Sequence, residues 1–464
     1  MTGGYLDAAA GLPWHPVAVE ALQAALADGW ADPGRLARPG RRSAVLLDAA
    51  RAAIAAEFGV HPDELIVTPS GAHALHQAVL GSLAGRHRAG RTLVHSAVEH
   101  SAVLKAAQWH AGRGGSIDVV PVEGTGRVDP NEFLAAAGAP GVATAVLQAA
   151  NHEVGTRQPV AEVAAGLAES AVPLVVDAGH QLVYGEPPAA APIFTADARL
   201  WGGPAGVGLL VVRRGSRWLP PFPVDESESG RGLGVPNVPV LVAAAAALRA
   251  TRADRTAQAA RLAGLLDQLR HRIPLLVPDA VLFGPDRPAD RLPHLLTFSC
   301  PYVDGEALLT ELDRLGFAVS SGSSCTSDSL VPSHVLVAMG ALSSGNIRLS
   351  LHPGVEQADI DRFLEVLPAA VAEVRSANPR PVPPRAPSAP ADNAGPVLDS
   401  RGRRCPLPIL DLARALPDLP VGGELTVLAD DPAAASDIPA WCRMTGQQLV
   451  DTDGTGRYRV RRVR

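Results

Sequence analysis

From about residue 60 to residue 250, short runs of aliphatic and β-branched residues alternate with longer alanine-rich stretches. The runs read "ELIVTP", "TLVHSA", "IDVVPV", "TAVLQA", "PLVVDA" and "GVGLLVVR". Continuous apolar runs separated by helical stretches predict an α/β architecture, a mostly parallel sheet with helices on both faces. Beyond residue 250 the pattern changes. The amphipathic stretch "ARLAGLLDQLRHRI" predicts a long helix, and the shorter strands around it predict a smaller α+β region. Residues 376–395, "SANPRPVPPRAPSAPADNAG", hold almost no bulky apolar side chain and read as an extended, semi-rigid linker. The remainder reads strand, helix, strand, helix and then a hairpin through "DTDGTGRYRVRRV", a compact α+β unit. Four segments follow: a large domain over 1–250, a small domain over 251–375, the linker over 376–395 and a terminal domain over 396–464.

Composition narrows the function classes. Of 464 residues, 47% are hydrophobic and 19% charged, which fits a folded chain rather than a disordered one. A net charge of -6 supplies no basic footprint, so direct nucleic-acid binding is not expected. The longest apolar run, "VPVLVAAAAAL" (238–248), is too short and alanine-rich to span a bilayer and predicts a buried helix. "MTGGYLDAAAG" has no positive start followed by an apolar core, so no secretory signal is visible and a cytoplasmic setting is expected. Four cysteines, Cys300, Cys325, Cys405 and Cys442, are too few for a disulfide framework in so long a chain. Reduced thiols are then candidates for chemistry. Cys300 ends a strand-like run and Cys442 follows an aromatic in an apolar helix, so both read as packing residues. The only lysine is Lys105. Arginine replaces lysine at a surface, but guanidinium stays protonated and cannot serve as an amine nucleophile.

Two cysteines lie in informative strings. Cys325 sits in "AVSSGSSCTSDSLVPSHVLVAMG", a Ser/Gly-rich loop before a helical stretch. Downstream lies "GNIRLSLHPGVEQADIDRFLEVL", which carries Arg348. Cys405 lies in "LDSRGRRCPLPILDLARAL". Pro406 suits a first helical turn, which places Cys405 at a helix start where the dipole and free N–H groups favour an anion. Arg401, Arg403 and Arg404 are expected to add positive charge there.

The first string resembles the "SSGSACTS" active-cysteine loop of NifS-type cysteine desulfurases, of the class V aminotransferase group. The likeness runs from "GYLDAAAGLP" to about residue 375, through "VEHSAVLKAA", "NHEVGTRQPV", "PLVVDAGHQ" and "GVPNVPV". It implies a fold-type-I pyridoxal phosphate (PLP) architecture, normally a homodimer, with L-cysteine as substrate and Cys325 carrying sulfur away as a persulfide. The second string resembles TusA-type sulfur carriers, which implies a two-layer βαβαββ sandwich with a persulfide on Cys405 and a downstream acceptor protein.

The same resemblance locates a cofactor site and finds it altered. Aligned on "GPAGVG", the family's Ser-x-His-Lys falls on Asp197, Arg199 and Leu200, with leucine at the lysine position. The family's threonine in the phosphate loop becomes His73, the asparagine of "NNEIG" becomes His152, and the glutamine near the phenolic oxygen becomes His180. The threonine of "GTxN" becomes Val235. Asp177 and His100 keep the positions that pair with the pyridine nitrogen and stack on the ring. Arg348 keeps that of the substrate-carboxylate arginine. Leucine forms no aldimine, and losing the lysine removes a general base worth typically ~10²–10⁴ in rate. If the alignment holds, His73, His100, His152, His180 and Asp177 converge on one cleft, with His76 one turn from His73. No ligand-type spacing supports a metal there, and none is assigned.

The expected function is sulfur transfer, with Cys325 accepting a persulfide from a desulfurase or a small persulfide donor and passing it to Cys405. About twenty extended residues at ~3 Å each give the linker a reach of roughly 60 Å. Two alternatives stand beside this reading. One is an active PLP-dependent desulfurase with an atypically held cofactor. The other is a non-enzymatic partner of an active desulfurase.

Overall fold

The computed structural model describes residues 4–321, 332–377 and 396–464. Helices α1 (Pro16–Ala25) and α2 (Arg38–Phe58) precede an alternation of strands and helices. That alternation runs β1 (Leu65–Thr68), α3 (Gly71–Arg86), β2 (Thr92–Ser96), α4 (Ser101–Ala111), β3 (Ser116–Val120) and α5 (Pro130–Ala137). It continues through β4 (Val142–Val146), α6 (Val160–Gly166), β5 (Leu174–Asp177), α7 (Gly179–Leu182), β6 (Ile193–Asp197) and β7 (Gly208–Val212). The strands form one sheet in the order β1-β7-β6-β5-β4-β2-β3. Only β7 runs against its neighbours, so the sheet is mostly parallel, as the apolar runs predict. Strand β6, "IFTAD", is an addition to the predicted set. It is short, follows a Pro/Ala-rich turn and ends in a charge.

Two apolar layers cover this sheet. One packs Ile54, Phe58, Phe133, Phe194, Trp201 and Leu241 on one face, and the other packs Leu75, Val79, Val103 and Trp218 on the opposite face. Burial on both sides explains why β4 and β7 are apolar without alternation. The run at 238–248 begins α8 (Val238–Ala253), a buried helix against α1 and α2.

Helix α9 (Arg255–Leu276) leads into β8 (Val281–Leu282), β9 (Leu295–Ser299), α10 (Gly305–Arg314), α11 (His334–Ala338), β10 (Asn346–Ser350) and α12 (Gln357–Ala377). Their three-stranded sheet, β10-β9-β8, is antiparallel and packs with α9 and α12 around Leu266, Phe298, Phe317 and Phe363. The last segment comprises β11 (Val397–Asp399), α13 (Leu407–Ala415), β12 (Glu424–Leu428), α14 (Ala434–Thr445), β13 (Gln448–Thr452) and β14 (Arg457–Arg461). Its sheet order is β11-β12-β14-β13, a βαβαββ unit as read from the sequence. Among the described residues no helix is long and apolar enough to cross a membrane.

Candidate functional site

Parallel strands present their carboxyl ends to one crevice, where open α/β sheets hold ligands. Here β5 ends in Asp177 and β6 in Asp197, beside a cavity of about 560 Å³. Asp7, His100, His152, His180, Leu200 and Arg348 also line it. The structure brings His100, His152, Asp177 and His180, four of the five residues that the resemblance set on one cleft, together there with Asp197, Arg199, Leu200 and Arg348.

His73 is a correction. It lies on α3 beside the cleft, but its ring faces Phe222 at 6.2 Å and its Nε2 lies 3.1 Å from the Gln77 side-chain nitrogen. It does not line the cavity. In the first turn of α3, its ring is taken up by Phe222 and Gln77. Cys325 falls outside the described residues.

Asp197 fills the start of α3. The Gly71 N–H donates to its Oδ2 at 3.1 Å, and Ser70 caps the same end by accepting from the His73 N–H. These are donors that a helix leaves without internal partners. A Cβ at Gly71 would lie 2.7 Å from the Asp197 Cβ, so glycine is required for this approach. Arg199 clamps the carboxylate, donating to Oδ1 at 3.2 Å and to Oδ2 at 3.0 Å. Leu200 is buried in the apolar cluster with Leu6, Val183 and Tyr184. Lys105 is exposed on α4 and bonds Gln108.

Arg348 is likewise engaged within the chain. Its Nη2 donates to Asp7 Oδ1 at 2.7 Å and its Nη1 to the His152 carbonyl at 3.1 Å. Between these charges lies a file of imidazoles. The rings of His100 and His152 are 5.1 Å apart and those of His152 and His180 are 6.3 Å apart. Burial holds His152 and His180 well below the ordinary histidine range, so both are neutral. Burial also raises Asp177, an effect partly opposed by His100. No group of three or more histidine, cysteine or carboxylate side chains is arranged to hold a metal among the described residues.

Two carboxylates escaped the sequence reading. Glu99 and Glu153 each stand next to a histidine that it singled out, and both are buried. Burial pushes Glu99 up to about 8, although Ser96 and the Gln148 N–H donate to it. Glu153 is pushed up to about 7 by burial and is bonded by Ser333. A carboxylate next to a histidine just past a strand end was the available signal.

At the second cysteine the electrostatics differ from expectation. Cys405 precedes α13, but the nearby arginines are diverted: Arg401 bonds Asp399 and Arg403 bonds Asp411. The groups facing the thiol are carboxylates. Burial, then Asp437 and Asp431, push Cys405 well above the ordinary thiol value. The structure therefore holds a neutral thiol where the sequence predicts an anion. Cys300 and Cys442 are buried, in keeping with packing roles.

Comparison with known proteins accords with this architecture. The aminotransferase class-V family model matches residues 4–363, and the sulfurtransferase TusA model matches residues 397–462. The chain is 30% identical over 382 residues to the cysteine desulfurase IscS of Dictyoglomus turgidum, covering 81% of this chain and 96% of that one. It is 36% identical over 386 residues to a cysteine desulfurase of Cereibacter sphaeroides, covering 81% and 97%. Among solved structures, a NifS-like protein superposes with a TM-score of 0.73 at 24% identity, covering 80% of this chain and 99% of that one. DndA of Streptomyces lividans superposes with a TM-score of 0.63 at 28% identity, covering 75% and 99%. The chain belongs to the class V aminotransferase family, with a NifS-like cysteine desulfurase domain joined to a C-terminal TusA domain.

Proposed function

We propose that this chain is a sulfur-transfer protein that has lost pyridoxal phosphate chemistry and relays persulfide sulfur from Cys325 to Cys405. The observation that carries the reading is Asp197 at the end of β6, which accepts from the first N–H of α3 and is clamped by Arg199. In the family resemblance that helix start receives the cofactor phosphate, and a carboxylate there repels a phosphate dianion. Leu200, packed among hydrocarbons at the lysine position, offers no amine. The residues present do not fit the cofactor.

The relay needs only thiol chemistry. The Cys405 sulfur attacks the terminal sulfur of a Cys325 persulfide, forming one S–S bond as another breaks. The proton leaving Cys405 passes to the departing Cys325 thiolate, so no external oxidant or reductant enters. The first persulfide comes from a small persulfide donor or an active desulfurase. Exposed Trp30 and Leu36 near α2, with Leu233 and Val235, support a homodimer.

A second reading is favoured by Asp177, His100 and Arg348 sharing one cavity: a desulfurase that holds its cofactor atypically. Purified protein separates the two. Absence of an absorbance band near about 410–430 nm after incubation with PLP supports the relay, and a band that shifts with L-cysteine overturns it. Persulfide labelling then decides between relay and non-enzymatic partner. Labelling is expected at both thiols in the wild type. Cys405→Ser should retain it on Cys325, and Cys325→Ser should lose delivery to Cys405 from a desulfurase. Labelling at neither thiol would end the transfer reading.

A further inference from the structure

The C-terminal domain is seated on the chain's own small domain, and its seat includes Cys405. The Arg443 guanidinium donates to the Gly340 carbonyl at 2.7 Å, and the Trp441 indole donates to the Tyr302 hydroxyl at 3.1 Å. Leu342 and the Tyr302 ring pack into the C-terminal apolar cluster with Ile409, Leu412 and Ile438. Glycine at 340 suits this seam because its φ of +67° disfavours other residues, and the tip of the Arg443 side chain lies 2.8 Å from where a Cβ would stand. Tyr302, a non-glycine residue, adopts φ +66° in the same seam.

Asp437 is the centre of this contact. It is fully buried on α14, and its Oδ1 accepts from both the N–H of Ser343 at 2.9 Å and its hydroxyl at 2.8 Å. The same carboxylate lies against Ser344 and the half-buried Cys405 thiol. Asp431 also faces Cys405, accepting from its N–H at 2.8 Å, and Tyr458 lies nearby. A buried carboxylate costs free energy unless its oxygens are satisfied. Here part of that satisfaction comes from across the domain boundary. Docking therefore has a specific polar contact at its heart, set beside the reactive sulfur.

We infer that Asp437 and Ser343 form a latch that holds the Cys405 face of the C-terminal domain against the small domain, so that this thiol meets outside partners only when the latch opens. Thiolate, not thiol, is the reacting form. Closed, the half-buried sulfur is kept protonated by burial and by the facing carboxylates. Open, it regains hydration and with it thiolate character. The face that docks at home is also the face an acceptor must reach, so delivery exchanges one partner for the other. The meaning of this latch for sulfur rests on the relay proposed above, but its physical test does not.

The test is iodoacetamide labelling of the full-length chain at neutral pH, read by mass spectrometry of the Cys405 peptide. Ser343→Asp sets a second carboxylate against Asp437, and Leu342→Asp puts a charge into the apolar seam. Both leave the C-terminal domain unaltered. Each should speed Cys405 labelling about tenfold or more, the scale of a one-unit fall in thiol pKa. Cys300, buried in the small-domain core, reports folding by staying unlabelled. Labelling within about twofold of wild type in folded variants overturns the latch, because thiolate fraction sets the rate. Should neither variant fold, the wild type decides: labelling as fast as free cysteine overturns the proposal, and much slower labelling upholds it. Failure of persulfide transfer with slow labelling retained would strike the relay and leave the latch standing.

Discussion

The chemistry of this chain gathers at two helix starts, and they are finished in opposite ways. At α3 the free N–H groups and the positive end of the helix dipole have been met by Asp197, whose charge is met in turn by Arg199. At α13 two of the neighbouring arginines, Arg401 and Arg403, are paired with Asp399 and Asp411, and carboxylates face Cys405. At the first helix start the carboxylate is met by its own arginine within the chain. The second keeps a neutral group whose reactivity is restored by water. A site closed by its own ion pairs is structural; one closed by docking is switchable.

Three substitutions sharpen that contrast. Arg348→Ala strips a buried partner from Asp7 and a donor from the His152 carbonyl, and should cost about 3 kcal/mol in urea unfolding. Cys405 labelling should not change, since Arg348 lies outside the docked seam. Equal unfolding midpoints would show that the cavity ion pairs are not what closes it. Asp197→Ala should cost less, about 1–2 kcal/mol, on the scale of a lost helix cap. Removing that carboxylate should also let inorganic phosphate raise the thermal midpoint, where the wild type shows no response. A wild type protected by phosphate would break the comparison at its first term.

The smallest effect is one of pH. Glu99 is raised from 4.5 to about 8, so the fold favours its protonated form. Its contribution to stability is complete below the unfolded value near 4.5 and is lost as pH rises through about 8. Glu99→Gln, neutral throughout, should therefore flatten the fall of the thermal midpoint between about pH 4.5 and 8. His152, His180 and His294, whose lowered values withdraw stability as pH drops below 6.5, should act alike in variant and wild type. Parallel profiles from pH 4.5 to 8 in variant and wild type would contradict a buried neutral Glu99.

Much of the fold was legible. The apolar runs marked six of the seven strands of the large sheet, and "VPVLVAAAAAL" announced α8. The order strand, helix, strand, helix, hairpin was readable beyond residue 396. Strand β6 was not, because its five residues end on a charged group that only the cavity explains. Within the site, the resemblance set His100, His152, Asp177 and His180 on one cleft, where the structure also places Asp197, Arg199, Leu200 and Arg348. It misplaced His73, because position on a helix says which turn a residue occupies but not which neighbour fills the space before it. The charge expected around Cys405 was misread for a related reason. Counting arginines in "RGRR" does not reveal that Asp399 and Asp411 take two of them.

By itself the sequence determined the elements, their order, the single lysine and the identity of the groups at the strand ends. These depend on local periodicity and on which atoms are present. Tertiary structure decided which charges meet: Asp197 with the start of α3, Arg348 with Asp7, and Asp437 with Ser343 beside Cys405. The physical reason is that protonation and pairing depend on distance and exposure to water, and both are set only when segments far apart in the chain pack together.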